Sequence, residues 1–163
     1  MSAEGLDLFD RVPEGIFRPL AARTHRRGNW RLINFLYDRQ FGPDAGVAGD
    51  QVLRAKVINL IREFYLEHPE LMDQDGTELS IRAAMSLNFL IESGWFVQEK
   101  LGVREFVYMS PTVAGLLSVL RQFADEGPTD VGGEVGVIFA SLKAVAADPA
   151  NEAAAFRQCA KLT

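Results

Sequence analysis

The chain is poor in the residues that most often carry chemistry, with one cysteine and two histidines in 163 residues. A single cysteine, Cys159, excludes an internal disulfide and fits a reducing compartment. His25 and His68 lie far apart and have no Cys or paired carboxylates at ligand spacing, so neither a zinc site nor histidine catalysis is expected. No apolar run approaches the length that spans a bilayer, so no membrane partner is expected. The first residues, MSAEGLDLFDR, are acidic and lack an apolar signal core, which predicts no export and a cytoplasmic location. Asp73, Asp75 and Glu78 around Gly76 lack the remaining ligands of a calcium loop and read as a solvated acidic turn. Gly132-Gly133-x-x-Gly136 follows a turn rather than a buried strand, and no Lys-Ser/Thr follows it, so it is not read as a phosphate cradle. No Ser, His and Asp set has a marked context. The expectation is a protein that is not an enzyme and needs no cofactor or metal.

What remains is ordinary soluble composition, 48% hydrophobic and 24% charged, enough to bury a core. The net charge of −5 is uneven. Residues 1–41 carry seven Arg against five acids, and residues 42–78 carry three bases against eight acids. Residues 79–111 balance at three each.

The chain is organised around 79–120. Ile81, Ala84, Met85, Leu87, Leu90 and Ile91 recur at helical offsets and predict a buried stripe. Ser93-Gly94 ends that helix. Trp95 to Lys100 and Arg104 to Met109 alternate with aromatic and β-branched residues, which predicts two strands. The short linker Leu101-Gly102-Val103 joins them as a hairpin, a wing spanning about 95–109. Ser110-Pro111 is a helix cap followed by a first-turn proline. Val113, Leu116, Leu117, Leu120 and Phe123 form the stripe that follows, and Gly127-Pro128 stops it.

Ahead of this lie two more helices. Asn29 can cap the first, with Trp30, Ile33, Leu36, Tyr37 and Phe41 inward. Asp50 can cap the second, with Val52 or Leu53, Val57, Leu60, Ile61 and Phe64 inward and Arg54, Lys56 and Arg62 on its polar face. The expected fold is mainly α with a small β-hairpin. It divides into an apolar arm (1–28), a winged-helix domain (29–110) and a helical extension (111–163). The extension's last helix shows no stop, so the native chain is expected to continue.

A wing that meets DNA usually sends cations to phosphate. Here Lys100 and Arg104 flank Leu101 and Val103 and are offset by Glu99 and Glu105, while the third helix offers only Arg82. Apolar residues at a hairpin tip suit a protein contact. The arm is also too apolar for a free tail, and Pro13 and Pro19 argue against one continuous helix. The expected interface residues are Leu8, Phe9, Val12, Phe17, Leu20, Trp30, Leu101 and Val103. Arg23, Arg26, Arg27 and Arg31 are the one basic cluster, either a solvated helix start or a contact for phosphate or an acidic partner.

The segment GWFVQEKLGVREFVYMSPTVAGLL resembles the wing region of MarR-type regulators, a pattern that specifies fold more than function. A narrower resemblance lies in LFDRVPEGIFRPLAARTHRRGNWRLINFLYDRQFGPD, which is similar to the start of the JetA family. It rests on Leu8-Phe9, Val12-Pro13-Glu14, Phe17, Pro19-Leu20-Ala21, Trp30 and Leu36-Tyr37, and runs from residue 6 to about 125. JetA is the kleisin-like subunit of Wadjet, a bacterial SMC-type complex that cleaves circular plasmid DNA. The resemblance implies a non-catalytic kleisin whose winged-helix region dimerises with itself and whose following helices meet the neck of an SMC ATPase. It would reach DNA and the nucleoid through the complex. A MarR-like DNA-binding regulator is the alternative.

Overall fold

The computed structural model describes residues 7–45 and 50–126. Leu8–Asp10 is a single 3-10 turn, capped where the Asp7 carboxylate accepts from the Phe9 N–H at 3.0 Å. The first helices are α1, Arg18–Ala21, and α2, Arg26–Leu36, which runs on through a π-helical turn, Tyr37–Phe41. The strand β1, Val52–Leu53, leads straight into α3, Arg54–Glu67. A 3-10 turn at Pro69–Leu71 precedes α4, Leu79–Glu92. The hairpin strands are β2, Val97–Leu101, and β3, Arg104–Tyr108, and α5 follows over 111–126.

The strands form one antiparallel sheet in the order β1-β3-β2. A helix, a short strand, two helices and a hairpin that pairs back on the short strand make a winged helix, as expected. Pairing of Leu101 with Arg104 leaves Gly102-Val103 as a two-residue turn. Gly102 has φ +64°, and no described non-glycine residue has positive φ, so the turn is the II′ type that matches strand twist. The Ser110 Oγ accepts from the Val113 N–H at 3.3 Å, as the cap reading anticipated.

The core collects Leu32, Ile33 and Leu36 of α2, Val57, Ile61 and Phe64 of α3, and Ala83, Leu87 and Leu90 of α4. Trp95, Phe96, Val107 and Met109 bring the wing into it. Phe35 and Phe64 stack at 5.3 Å, and Phe41 and Phe96 at 4.9 Å. The chain divides into two compact units, Met1–Gly115 and Leu116–Thr163. The second is described to residue 126, where Leu117 is buried and Val119 and Phe123 are exposed.

Several expectations need correcting. Helix α2 begins at Arg26, ahead of Asn29, whose side chain instead donates to the Pro19 carbonyl at 2.9 Å. Asp50 caps nothing, because Val52 and Leu53 pair with Val107 and Phe106 before the helix starts. Trp95 and Phe96 do not alternate; both are buried in the bend before β2. Ile81 and Met85, expected inward, are exposed. The inner face of α4 is Ala83, Leu87 and Leu90, since the small Ala83 lets α3 and α4 approach closely.

Candidate functional site

In a DNA-reading helix-turn-helix protein the second helix lays its outer side in the major groove. The corresponding helix here is α4. Its exposed positions are Ile81, Met85, Asn88 and Glu92, which recur at helical spacing and form one stripe. Ile81 and Met85 are 53% and 54% exposed. The stripe holds two aliphatic side chains, an acid and no cation.

The one base of α4, Arg82, is turned back onto the acidic loop. Its Nη1 meets Asp73 at 3.1 Å and its Nη2 meets Asp75 at 2.7 Å. The side chain is largely buried, and Nε has no acceptor among the described residues. The Thr77 backbone N–H, and then the Arg82 guanidinium, hold the Asp75 carboxyl well below the usual carboxylate range. The hydrogen bond to Asp75 in turn raises Arg82. Beside this clamp the Tyr65 hydroxyl pairs with Ser86 at 2.7 Å, and burial pushes the phenol up. Asp73, Asp75 and Glu78, read as a solvated turn, thus include two carboxylates that lock α4.

Arg54 is a positioning residue that sequence reading missed. From the first turn of α3 its Nη1 donates to Gln98 at 2.7 Å and its Nη2 to Asn88 at 2.8 Å, and its Nε lies 3.7 Å from Glu105. It ties α3, α4 and both wing strands together. Nothing local in the sequence marks it, because its partners lie more than 30 residues away. Gln51 adds a second tie, donating to Glu99 at 2.6 Å. Burial, and then Glu99, push the Tyr108 phenol up.

The wing so fixed carries an apolar tip. Val103 is 95% exposed and Leu101 is exposed beside it. A groove of about 460 Å³ runs between the tip and the start of α3, lined by Leu53, Ile58 and Val103 together with Arg54, Lys100, Arg104 and Glu105. Such a tip offers contact area to a protein and one cation on either side.

The arm is built into the winged helix along one edge. Val12 and Ile16 are buried, and the indole N–H of Trp95 donates to the Ile16 carbonyl at 2.7 Å. Gly94 has φ +92°, and a Cβ there would overlap the Pro13 ring. The Arg18 guanidinium lies over Phe89 at 5.4 Å. Of the expected interface residues, Val12 is therefore part of the chain's own core. Leu8, Phe9, Phe17, Leu101 and Val103 are exposed, and Leu20 and Trp30 are half-buried.

The Arg cluster divides in the same way. Arg31 lies 3.5 Å from Glu70 and 3.0 Å from His68. Arg23, Arg26 and Arg27 are exposed. His25 faces Asp73 at 3.7 Å, and no group of three metal-ligating side chains occurs among the described residues. No helix among them is long and apolar enough to cross a membrane. Cys159, Gly132, Gly133, Gly136 and the helices expected beyond residue 127 lie outside the described residues.

Fold and surface together define a winged-helix protein whose reading helix faces outward with aliphatic side chains and whose wing ends in a valine. More particularly, the chain belongs to the Wadjet JetA family: the model of the family described as Wadjet protein JetA matches residues 46–163. The matched span takes in α3, α4 and the wing, which the resemblance read from the sequence also covers, and runs on past residue 125, where that resemblance ends; it starts after residues 8–37, which carry the motifs of that reading. No curated protein and no solved structure matches the chain.

Proposed function

We propose that this protein is a non-catalytic kleisin subunit of an SMC-type complex that acts against circular plasmid DNA in the cytoplasm. Its winged-helix region serves as a module for self-association and for assembly near the neck of the SMC ATPase. Family membership supplies the Wadjet setting. The observation that favours assembly over DNA reading is the outward stripe of α4, aliphatic at Ile81 and Met85 with Arg82 withdrawn into its carboxylate clamp.

The two-fold contact is assigned to the outer edge of the arm, Leu8, Phe9 and Phe17, supported by Leu20 and Trp30. Burying a side chain of this size contributes about 1.5–3 kcal/mol. Leu8, Phe9 and Phe17 are 48%, 46% and 37% exposed, so each has roughly half of that left to contribute; summed over both protomers this falls within an association cost on the order of 4–15 kcal/mol. Leu101 and Val103 at the wing remain for a second subunit. The MarR-like alternative asks for cations along α4, where Arg82 is the one base and is already paired.

Two measurements test the reading. Light scattering of the purified chain is expected to give a dimer at tens of micromolar. Co-expression with an SMC-type ATPase encoded beside the gene is expected to give a complex that survives co-purification. A monomer refutes the dimer contact, and failure to co-purify refutes the kleisin role.

A further inference from the structure

We propose that Arg23, Arg26 and Arg27 contact the phosphate backbone of duplex DNA directly, at the junction of the arm and α2 rather than through α4 or the wing. This goes beyond the proposed function, in which DNA is reached through other subunits.

The three side chains are brought together by local structure. The Arg26 N–H bonds the Ala22 carbonyl at 3.2 Å, which closes a helical turn just ahead of α2. Arg26 and Arg27 open α2, and Arg23 stands in the turn three residues ahead of them. All three are exposed, and none has an ion-pair partner among the described residues. Their basic neighbours are all engaged. His25 faces Asp73, Arg31 faces Glu70, and Arg82 holds Asp73 and Asp75. The acidic loop thus meets the bases around the trio, and the trio itself has no ion pair among the described residues.

These arginines do not serve the fold. The first turn of α2 contains no acid, and cations at that end of a helix oppose the peptide dipoles. Cations that oppose the helix dipole and have no ion pair among the described residues are accounted for by an external anion.

The chemistry of the patch selects the anion. Residues 23–27 read Arg-Thr-His-Arg-Arg, all exposed, with no large apolar side chain. A protein interface has an apolar core, and the exposed large apolar residues among the described ones lie outside 23–27, on the arm, β1, α3, α4, the wing tip and α5. Guanidinium forks match phosphate oxygens, and a neighbouring hydroxyl such as Thr24 is a common further donor to the backbone. Contacts of this kind position a protein on DNA without reading sequence.

Fluorescence anisotropy with labelled duplexes of about 20 bp and unrelated sequence tests this at low and near-physiological salt. Binding is expected at low salt, indifferent to sequence, with a log–log salt slope of about −2.7 for three phosphates. The triple variant R23Q/R26Q/R27Q is expected to bind at least about tenfold more weakly. It should melt no lower than the parent, which separates lost binding from lost folding. The wing variant K100Q/R104Q is expected to bind like the parent. The proposal fails if the parent does not bind at low salt, if the triple variant binds unchanged, or if the wing variant abolishes binding. It also fails if polyglutamate of equal charge competes as well as unlabelled duplex, which would assign the patch to an acidic protein surface. Dimerisation by light scattering is read separately, so its loss leaves this outcome intact.

Discussion

Val12 and Phe17 belong to one apolar segment, yet Val12 is buried and Phe17 is left in solvent. The inner edge of the arm, with Pro13, Gly15 and Ile16, fits against Ser93, Gly94 and Trp95 at the end of α4. The outer edge, with Leu8, Phe9 and Phe17, stays partly in solvent, and Phe9 is 46% exposed. Both edges are apolar. The inner edge is held by shape and by one buried hydrogen bond, so it is structural, while the outer edge keeps its apolar area for another chain.

The contrast is broken most sharply at Gly94. Gly94→Ala combines a left-handed backbone with overlap on Pro13 and is expected to cost about 3 kcal/mol, read as a lower urea midpoint. Trp95→Phe keeps most of the ring but leaves the Ile16 carbonyl without its donor. A loss of about 2 kcal/mol is expected, with faster proteolysis at the arm.

The clamp on α4 gives a pH effect. The folded-state pKa of Asp75 lies below its unfolded value, so its contribution is present above the unfolded pKa of about 3.9 and is lost as pH falls below it. Asp75→Asn is therefore expected to lower the melting temperature at neutral pH and to converge on the parent in acid; a gap that does not narrow contradicts the clamp.

On the outer edge, Phe9→Glu with Phe17→Glu should cost the fold on the order of 1–3 kcal/mol, since part of each ring is already buried, while abolishing the dimer in light scattering. Met85→Gln should leave stability within about 0.5 kcal/mol, since its side chain is half in solvent. A large loss there would place α4's outer stripe in the core and remove the contrast on which the surface assignment rests.

Sequence reading served the wing better than it served α4. Period-two alternation, a Gly at the turn and the Ser110-Pro111 cap are local signals, and the hairpin and α5 follow them. In α4 apolar residues occupy two stripes, Ile81 with Met85 and Leu87 with Leu90, so periodicity cannot choose between them. The two-residue β1 is too short to alternate and reads as the start of α3. Of the candidate surface, the exposed arm and wing residues were legible as apolar side chains in broken or turn-forming sequence. The Arg82 clamp and the Arg54 tie were not.

By itself the sequence determined the order of helices and hairpin, the scarcity of catalytic residue types, and the membership of the JetA family, because each is carried by short-range pattern or by direct match. The tertiary structure alone decided which stripe of α4 turns inward, which edge of the arm is buried, and which arginines stay unpaired. Each of those depends on residues distant in the chain, and packing resolves what a repeating pattern leaves degenerate.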